Sequence, residues 1–472
     1  MKEIKLLGAL ALVIVSSFLY WTSKVQIDSY IISLSTLIFL SDYLLLETAN
    51  LKRGLYLSFN TIFSFSFFFA SYVLALIIAQ SDIISQYMGM TSSQIKYVNF
   101  NYLTKGASLS SLAYSLYTVG YLWIAGKNKP QKYHGFERDE KFQKLSNSFL
   151  WFFFILSMLN IVYSILSPRE GGRVMFMDRS FIYEYFRLFL VFTLFSKRHF
   201  LISKKKSFSL FWRLYKTPLL MSVSIVLLFL LFGERGETLM IVLIILGFVY
   251  FYCYKIRLKS ILLIGLVGLF FLYGMRLTRS TNSSISSGGF SSFVNVTSES
   301  VAETSPILMF SDLIGTAHEL CFGLEITERK GLTHSEQFLL LPLYPIPFMP
   351  SVMSDVLLGV PLKELSPITS LNSEMMEIAG QSCFGNHIVV DIYMRWGVAG
   401  VFICFFLLGM TISYYSRNRN TDVLLASCFL ILFANCLYLP RGTMLSLIRE
   451  ITNVYIFMYF FSKSHRKKRI IN

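Results

Sequence analysis

The stretch LLMSVSIVLLFLLFGERGETLMIVLIILGFVYFYC, residues 219–253, holds two apolar runs divided by the polar turn Gly233-Glu234-Arg235-Gly236-Glu237-Thr238. A helix needs roughly 20 predominantly apolar residues to cross a hydrocarbon core, and each run with its flanks approaches that length. The pattern recurs outward in both directions, near 6–22, 27–46, 55–79, 107–126, 147–167, 181–196, 217–233, 238–254, 259–275, 396–415, 420–438 and 444–462. The sequence therefore predicts an all-α polytopic membrane protein of about 12 spans. The first run lacks a small-residue cleavage site and reads as a retained span.

Composition agrees. Charged residues make up 15% of the chain and apolar ones 54%, with a mean hydropathy of +0.57. Soluble domains carry about a quarter charged residues, so soluble globular mass is excluded. The net charge of +16 would suggest nucleic acid in a soluble protein, but the cations follow topology. With a cytoplasmic N-terminus, the inner segments are 1–5, 47–54, 127–146, 197–216, 255–258, 416–419 and the tail from 463. They hold Lys204, Lys205, Lys206 and Arg213, and at the end Lys463, Arg466, Lys467, Lys468 and Arg469. The positive-inside rule thus places both termini in the cytoplasm, with anionic lipid as neighbour and no nucleic acid.

Six cysteines show no metal-ligand spacing. Cys321 and Cys383 share the outer compartment, either as a disulfide or as free thiols.

This topology divides the chain into 1–275 (helices one to nine), a large outer loop 276–395, and 396–472 (three further helices and the basic tail). Long loops of this kind are usually functional. Ser280 to Ser305 is rich in Ser, Gly, Thr and Asn and reads as a mobile stretch. Ile307 to Ile326 sets Ile307, Phe310, Ile314, Ala317, Leu320 and Leu324 at helical spacing, with Asp312, Thr316, Glu319 and Gly323 opposite. That predicts an amphipathic helix lying on the membrane surface or on the protein. Phe338 to Val360 is apolar, yet Pro342, Pro345, Pro347 and Pro350 disfavour a lipid-exposed helix. It is expected to dip into the membrane or lie along the interface.

Charges at span ends are expensive unless partnered, which makes them functional candidates. Arg235 sits in the short turn quoted above, either as an anion contact or as an interfacial residue pairing Glu234 or Glu237. Arg276 and Arg279 share one helix face at the outer end of the ninth run, and two forked, permanently charged guanidiniums suit a diphosphate. His387, Asp391 and Arg395 recur at every fourth position and form one helical stripe entering the membrane. Asp391 beside His387 or Arg395 is equipped to deprotonate a sugar hydroxyl or hold a substrate, or forms a plain ion pair with Arg395. Arg441, after Pro440, and Arg449 with Glu450 are further outer cations. Arg187 with Glu184 reads as a structural intramembrane pair. Arg169, Arg173 and Arg179 surround a compact outer loop.

In topology, in the Gly-Glu-Arg-Gly-Glu turn, in the Arg276/Arg279 span end and in the stretch from Phe384 to Gly400, FGNHIVVDIYMRWGVAG, the chain resembles the O-antigen and capsular repeat-unit polymerases of the Wzy family. The resemblance implies a lipid-diphosphate-dependent glycosyltransferase of the bacterial inner membrane. Such an enzyme moves a growing glycan from undecaprenyl diphosphate onto an incoming lipid-linked repeat at the periplasmic face, with no cofactor and no metal. Its partners would be the lipid-linked oligosaccharide as donor and acceptor, membrane lipids and a chain-length regulator. On that reading Arg235, Arg276, Arg279 and Arg441 take the diphosphate and Asp391 or His387 is the base, with Glu319 in reserve. A flippase for lipid-linked oligosaccharide or an O-antigen ligase shares this layout and is the competing class.

Overall fold

The computed structural model describes residues 2–52, 57–79, 98–125, 140–166, 180–198, 208–232, 235–254, eight positions between 256 and 268, 310–333, 335–343, 346, 349–379 and 386–469. The protein is all-helical, with no strand among the described residues. The first eight longer helices are α1 (Lys2–Thr22), α2 (Ser29–Lys52), α3 (Phe59–Ala79), α4 (Leu103–Ala125), α5 (Glu140–Leu166), α6 (Ser180–Ser196), α7 (Phe208–Phe232) and α8 (Arg235–Cys253). They are followed by α9 (Thr316–Lys330), α10 (Pro367–Ala379), α11 (Ile388–Asn418), α12 (Val423–Asn435) and α13 (Met444–Arg469).

Among the described residues seven helices are long and apolar enough to cross a membrane: α1, α2, α3, α5, α7, α8 and α11. The expected runs at 181–196 and 420–438 form helices of 17 and 13 residues, shorter than the roughly 20 residues of a full crossing. The run at 107–126 is α4, whose Ser, Thr, Tyr and Gly residues dilute its apolar character, and 444–462 lies within α13. Most of 259–275 lies outside the described residues.

Packing groups the chain into two compact units, residues 1–130, 310–417 and 436–449 in one, and 131–309, 418–435 and 450–472 in the other. In the first, α4 packs against both α1 and α2. It is buried almost throughout because its small residues let neighbours approach and its hydroxyls find partners. Ser16 lies 3.2 Å from both Ser111 and Ser115, the Ser115 hydroxyl donates to Asp42 at 2.5 Å, and the Tyr117 hydroxyl donates to Asn60 at 2.5 Å. Against α11 the approach is backbone to backbone. A Cβ at Gly120 would overlap the Phe406 carbonyl, and one at Gly409 the Tyr117 carbonyl.

The second unit is held by aromatic contacts. Phe149 and Phe153 of α5 stack on Phe189 of α6 at 4.8 and 5.4 Å, and Phe251 of α8 meets Phe429 and Phe433 of α12 edge-on at 5.0 Å.

Where the sequence predicts one amphipathic helix over Ile307–Ile326, the described residues form a short helix, Ser311–Ile314, and α9, which packs on protein. Its apolar residues Ala317, Leu320 and Leu324 are buried, and so are Thr316, Glu319 and Gly323 of the opposite face. Gly323 faces Val390 so closely that a Cβ would collide with that side chain. Around the proline-rich segment the described backbone is broken into the 3-10 helix Ser335–Leu343, the short helix Met349–Met353 and the π turn Ser354–Leu358. Met349–Leu358 is apolar but only 10 residues long at most, too short to cross.

Candidate active site

The stripe His387, Asp391, Arg395 is built at the entry of α11 in the first unit. The Asn386 side-chain oxygen accepts the His387 amide at 2.9 Å, and its amide nitrogen donates to the Gly442 carbonyl at 3.4 Å. The Asp391 amide bonds to the His387 carbonyl at 2.9 Å, so the stripe is helical from its first member. All three side chains are enclosed, with exposures of 0%, 0% and 2%.

Each is also spoken for. The Val389 amide donates to His387 Nδ1 at 3.2 Å, which fixes the neutral tautomer with its proton on Nε2, donated to Ser71 Oγ at 3.1 Å. The imidazole lone pair that a base needs is therefore already used. Asp391 and Arg395 form the i,i+4 ion pair at 3.2 Å, and the same Arg395 nitrogen donates to Gln337 Oε1 at 2.6 Å. A second tie runs alongside, from the Thr333 amide to the Met394 carbonyl at 2.8 Å. That carbonyl is released from the helix ladder because Gly397 breaks α11 at φ +60°, a conformation glycine adopts without strain. Thr333 and Gln337 are thus held against the head of α11.

Glu319, the reserve base, is 1% exposed within α9. Its neighbour His318 is buried as well. Burial pushes the imidazole down to about 4 although the Gly315 carbonyl, 2.9 Å from Nδ1, acts against that. At the open end of α9, burial raises the Glu328 carboxyl, but hydrogen bonds from Lys105 and Tyr102 win and hold it below the usual carboxylate range. Arg441 closes the 3-10 turn Leu439–Arg441, its guanidinium 5.8 Å over the Tyr438 ring. The Asn386–Gly442 bond ties this turn to the head of α11, so the stripe and Arg441 belong to one neighbourhood.

In the second unit Arg235 is the first residue of α8, half-buried. Two residues on, Glu237 Oε2 receives Arg187 of α6 at 2.6 Å. The other terminal nitrogen of Arg187 bonds Glu450 Oε1 at 2.7 Å, and the Asn435 side chain donates to Glu450 Oε2 at 2.8 Å. The direct hydrogen-bonded partners of Arg187 are thus Glu237 and Glu450, 50 and 263 residues distant, while the expected Glu184 adds its charge nearby. A guanidinium 3% exposed needs this double neutralisation, since an unpaired buried charge is costly.

Cys321 is a buried free thiol. Arg276 and Arg279, the Arg169–Arg179 loop, Ser280 to Ser305 and Cys383 lie outside the described residues. Reasoning from the sequence missed Ser71 and Gln337, for which no pattern exists. It also missed Glu237 and Glu450 as partners of Arg187, although the rule that a buried cation must find an anion pointed to them.

Residues 383–469, which include the stripe, the Gly397 break and the Arg441 turn, match the family model described as O-antigen polysaccharide polymerase Wzy. The match supports a Wzy-family polymerase. The match covers less than a fifth of the chain and agrees with the resemblance drawn from the residues. No curated protein and no solved structure gives a match to the chain.

Proposed function

We propose that this protein joins undecaprenyl-diphosphate-linked oligosaccharide repeat units into O-antigen or capsular polysaccharide at the periplasmic face of the inner membrane. Support comes chiefly from the family match over 383–469, since those residues build the head of α11 and the loop contacts around it. On this reading the chain crosses the membrane about 12 times with both termini in the cytoplasm, and the exposed apolar side chains Val352, Val356 and Leu357 dip into the outer leaflet. Membrane lipid surrounds the protein, a chain-length regulator is its protein partner, and the reaction requires no cofactor.

Breaking a glycosyl–diphosphate bond loads negative charge on the leaving group, and preorganised guanidiniums stabilise it as it develops. Arg235, with Arg276 and Arg279, is assigned that role, and Arg441 is the fourth candidate contact. Tethering of both substrates to lipid supplies orientation. The buried Asp391–Arg395–Gln337 cluster acts as the fastening of the outer loop, because both charges are sealed from any sugar.

The test is a deletion strain of the organism that carries the chain. Polymerase function predicts that single repeat units are still made and exported while long chains vanish. Lipid-linked repeats retained on the cytoplasmic face point instead to a flippase, and long chains that never reach lipid A core to a ligase.

A further inference from the structure

A base for the acceptor hydroxyl must be an ionised group that a sugar can touch. Asp391, His387 and Glu319 are 0%, 0% and 1% exposed, and His387 has committed both ring nitrogens. The carboxylate of Glu237 is different. It stands in the first turn of α8, two residues after Arg235, and its side chain is 22% exposed. From the buried side it is gripped by Arg187 at 2.6 Å, and Arg187 is in turn held by Glu450 at 2.7 Å, itself fixed by Asn435 at 2.8 Å. The chain Asn435–Glu450–Arg187–Glu237 orients one carboxylate and leaves part of it accessible, which is the arrangement of a base held by a supporting group.

We propose that Glu237 is the general base of glycosyl transfer, with Arg187 as its positioning residue. The inference rests on the polymerase reading and on the 233–238 turn facing outward. As the acceptor oxygen bonds to the anomeric carbon, its hydroxyl proton passes to the Glu237 carboxylate. The bond from that carbon to the diphosphate oxygen breaks, and its electron pair leaves with the lipid diphosphate beside Arg235. Glu237 then gives its proton to outside water. A purely structural Glu237 would serve only to neutralise Arg187, and that alternative is separable by experiment.

Purified wild-type, Glu237→Gln, Glu237→Ala and Glu237→Asp proteins are given lipid-diphosphate repeat units, and initial rates are read from the glycan ladder. Gln keeps an oxygen for Arg187 but cannot take a proton. A positioned base contributes about 100-fold to 10,000-fold, so kcat of Glu237→Gln should fall by at least about 100-fold with KM within a few-fold. Added formate should restore activity to Glu237→Ala at least about tenfold, by supplying the missing carboxylate. A Glu237→Gln rate within a few-fold of wild type overturns the assignment. So does lost activity that formate leaves unchanged in a protein of normal thermal stability. If Gln and Ala fail to reach the membrane, Glu237→Asp decides. It preserves the charge on Arg187, so a wild-type rate contradicts the base role and a large loss of kcat supports it. No ladder from the wild-type protein would instead remove the polymerase reading itself.

Discussion

Removing the Asp391 carboxylate while leaving Arg395 in place should unfasten the outer loop, and the cost follows from the geometry. Both side chains of the pair are 0% exposed, so Asp391→Ala leaves a buried guanidinium without its i,i+4 carboxylate, beside the neutral Gln337 oxygen. Breaking a buried pair by deleting one partner costs about 3–5 kcal/mol. At roughly 2 °C per kcal/mol for a large chain, the unfolding midpoint in detergent should drop by about 6–10 °C. Replacing both charges by apolar groups of similar volume is often close to neutral. Asp391→Leu with Arg395→Met should therefore recover all but about 1 kcal/mol, the residue being the lost bond to Gln337. Thermal unfolding monitored by intrinsic fluorescence measures both variants, and the glycan ladder measures their activity. If the fastening is the role of the pair, the double variant is stable and still polymerises. A double variant that is stable yet makes no polymer refutes the reasoning and returns Asp391 or Arg395 to the chemistry.

Arg235→Lys keeps a cation but loses the forked donors, so turnover should fall by about 100-fold with membrane levels unchanged; an unchanged ladder removes Arg235 from the site. Gly120→Ala or Gly409→Ala should lower the amount of folded protein, because each Cβ meets a backbone carbonyl that has no rotamer to yield, and a normal yield would contradict the backbone-to-backbone crossing. His318 is held down to about 4 by burial, against about 6.5 when unfolded. The unfolded chain therefore binds the extra proton, and this share of stability is complete above about pH 6.5 and lost as pH falls toward 4. His318→Gln should flatten the fall in unfolding midpoint between pH 7 and pH 5, and equal slopes would oppose it. Reporter fusions in 127–146 and 197–216 should signal cytoplasm and fusions near Ser286 or Ser351 periplasm; a cytoplasmic signal at Ser351 would mean that the proline-rich segment crosses.

The helical class was legible because apolar runs of membrane length need no partner to be recognised, and seven of them stand as such helices. Local pairs were legible for the same reason. Asp391 and Arg395 meet because i,i+4 residues share a helix face. Helix length was harder: α12 stops at Asn435, where the side chain turns to Glu450 and to the Ile431 carbonyl, and nothing in the apolar run 420–438 marks that stop. Long-range partners left no trace. Arg187 shows a tempting Glu184 three residues away, whereas its bonds run to Glu237 and Glu450. The burial of the polar face of α9 likewise depends on Val390 and the helices around it, which no amphipathic pattern reveals.

On the proposed function, this chain alone lengthens a lipid-linked glycan. The direct measurement is to give the purified protein, with chelator present, nothing but lipid-diphosphate repeat units and to resolve the products by size. A polymerase gives a ladder spaced by one repeat, with free lipid diphosphate released for each linkage formed. Unchanged single repeats, in a preparation that moves the same lipid across vesicle membranes or transfers glycan to lipid A core, would contradict it.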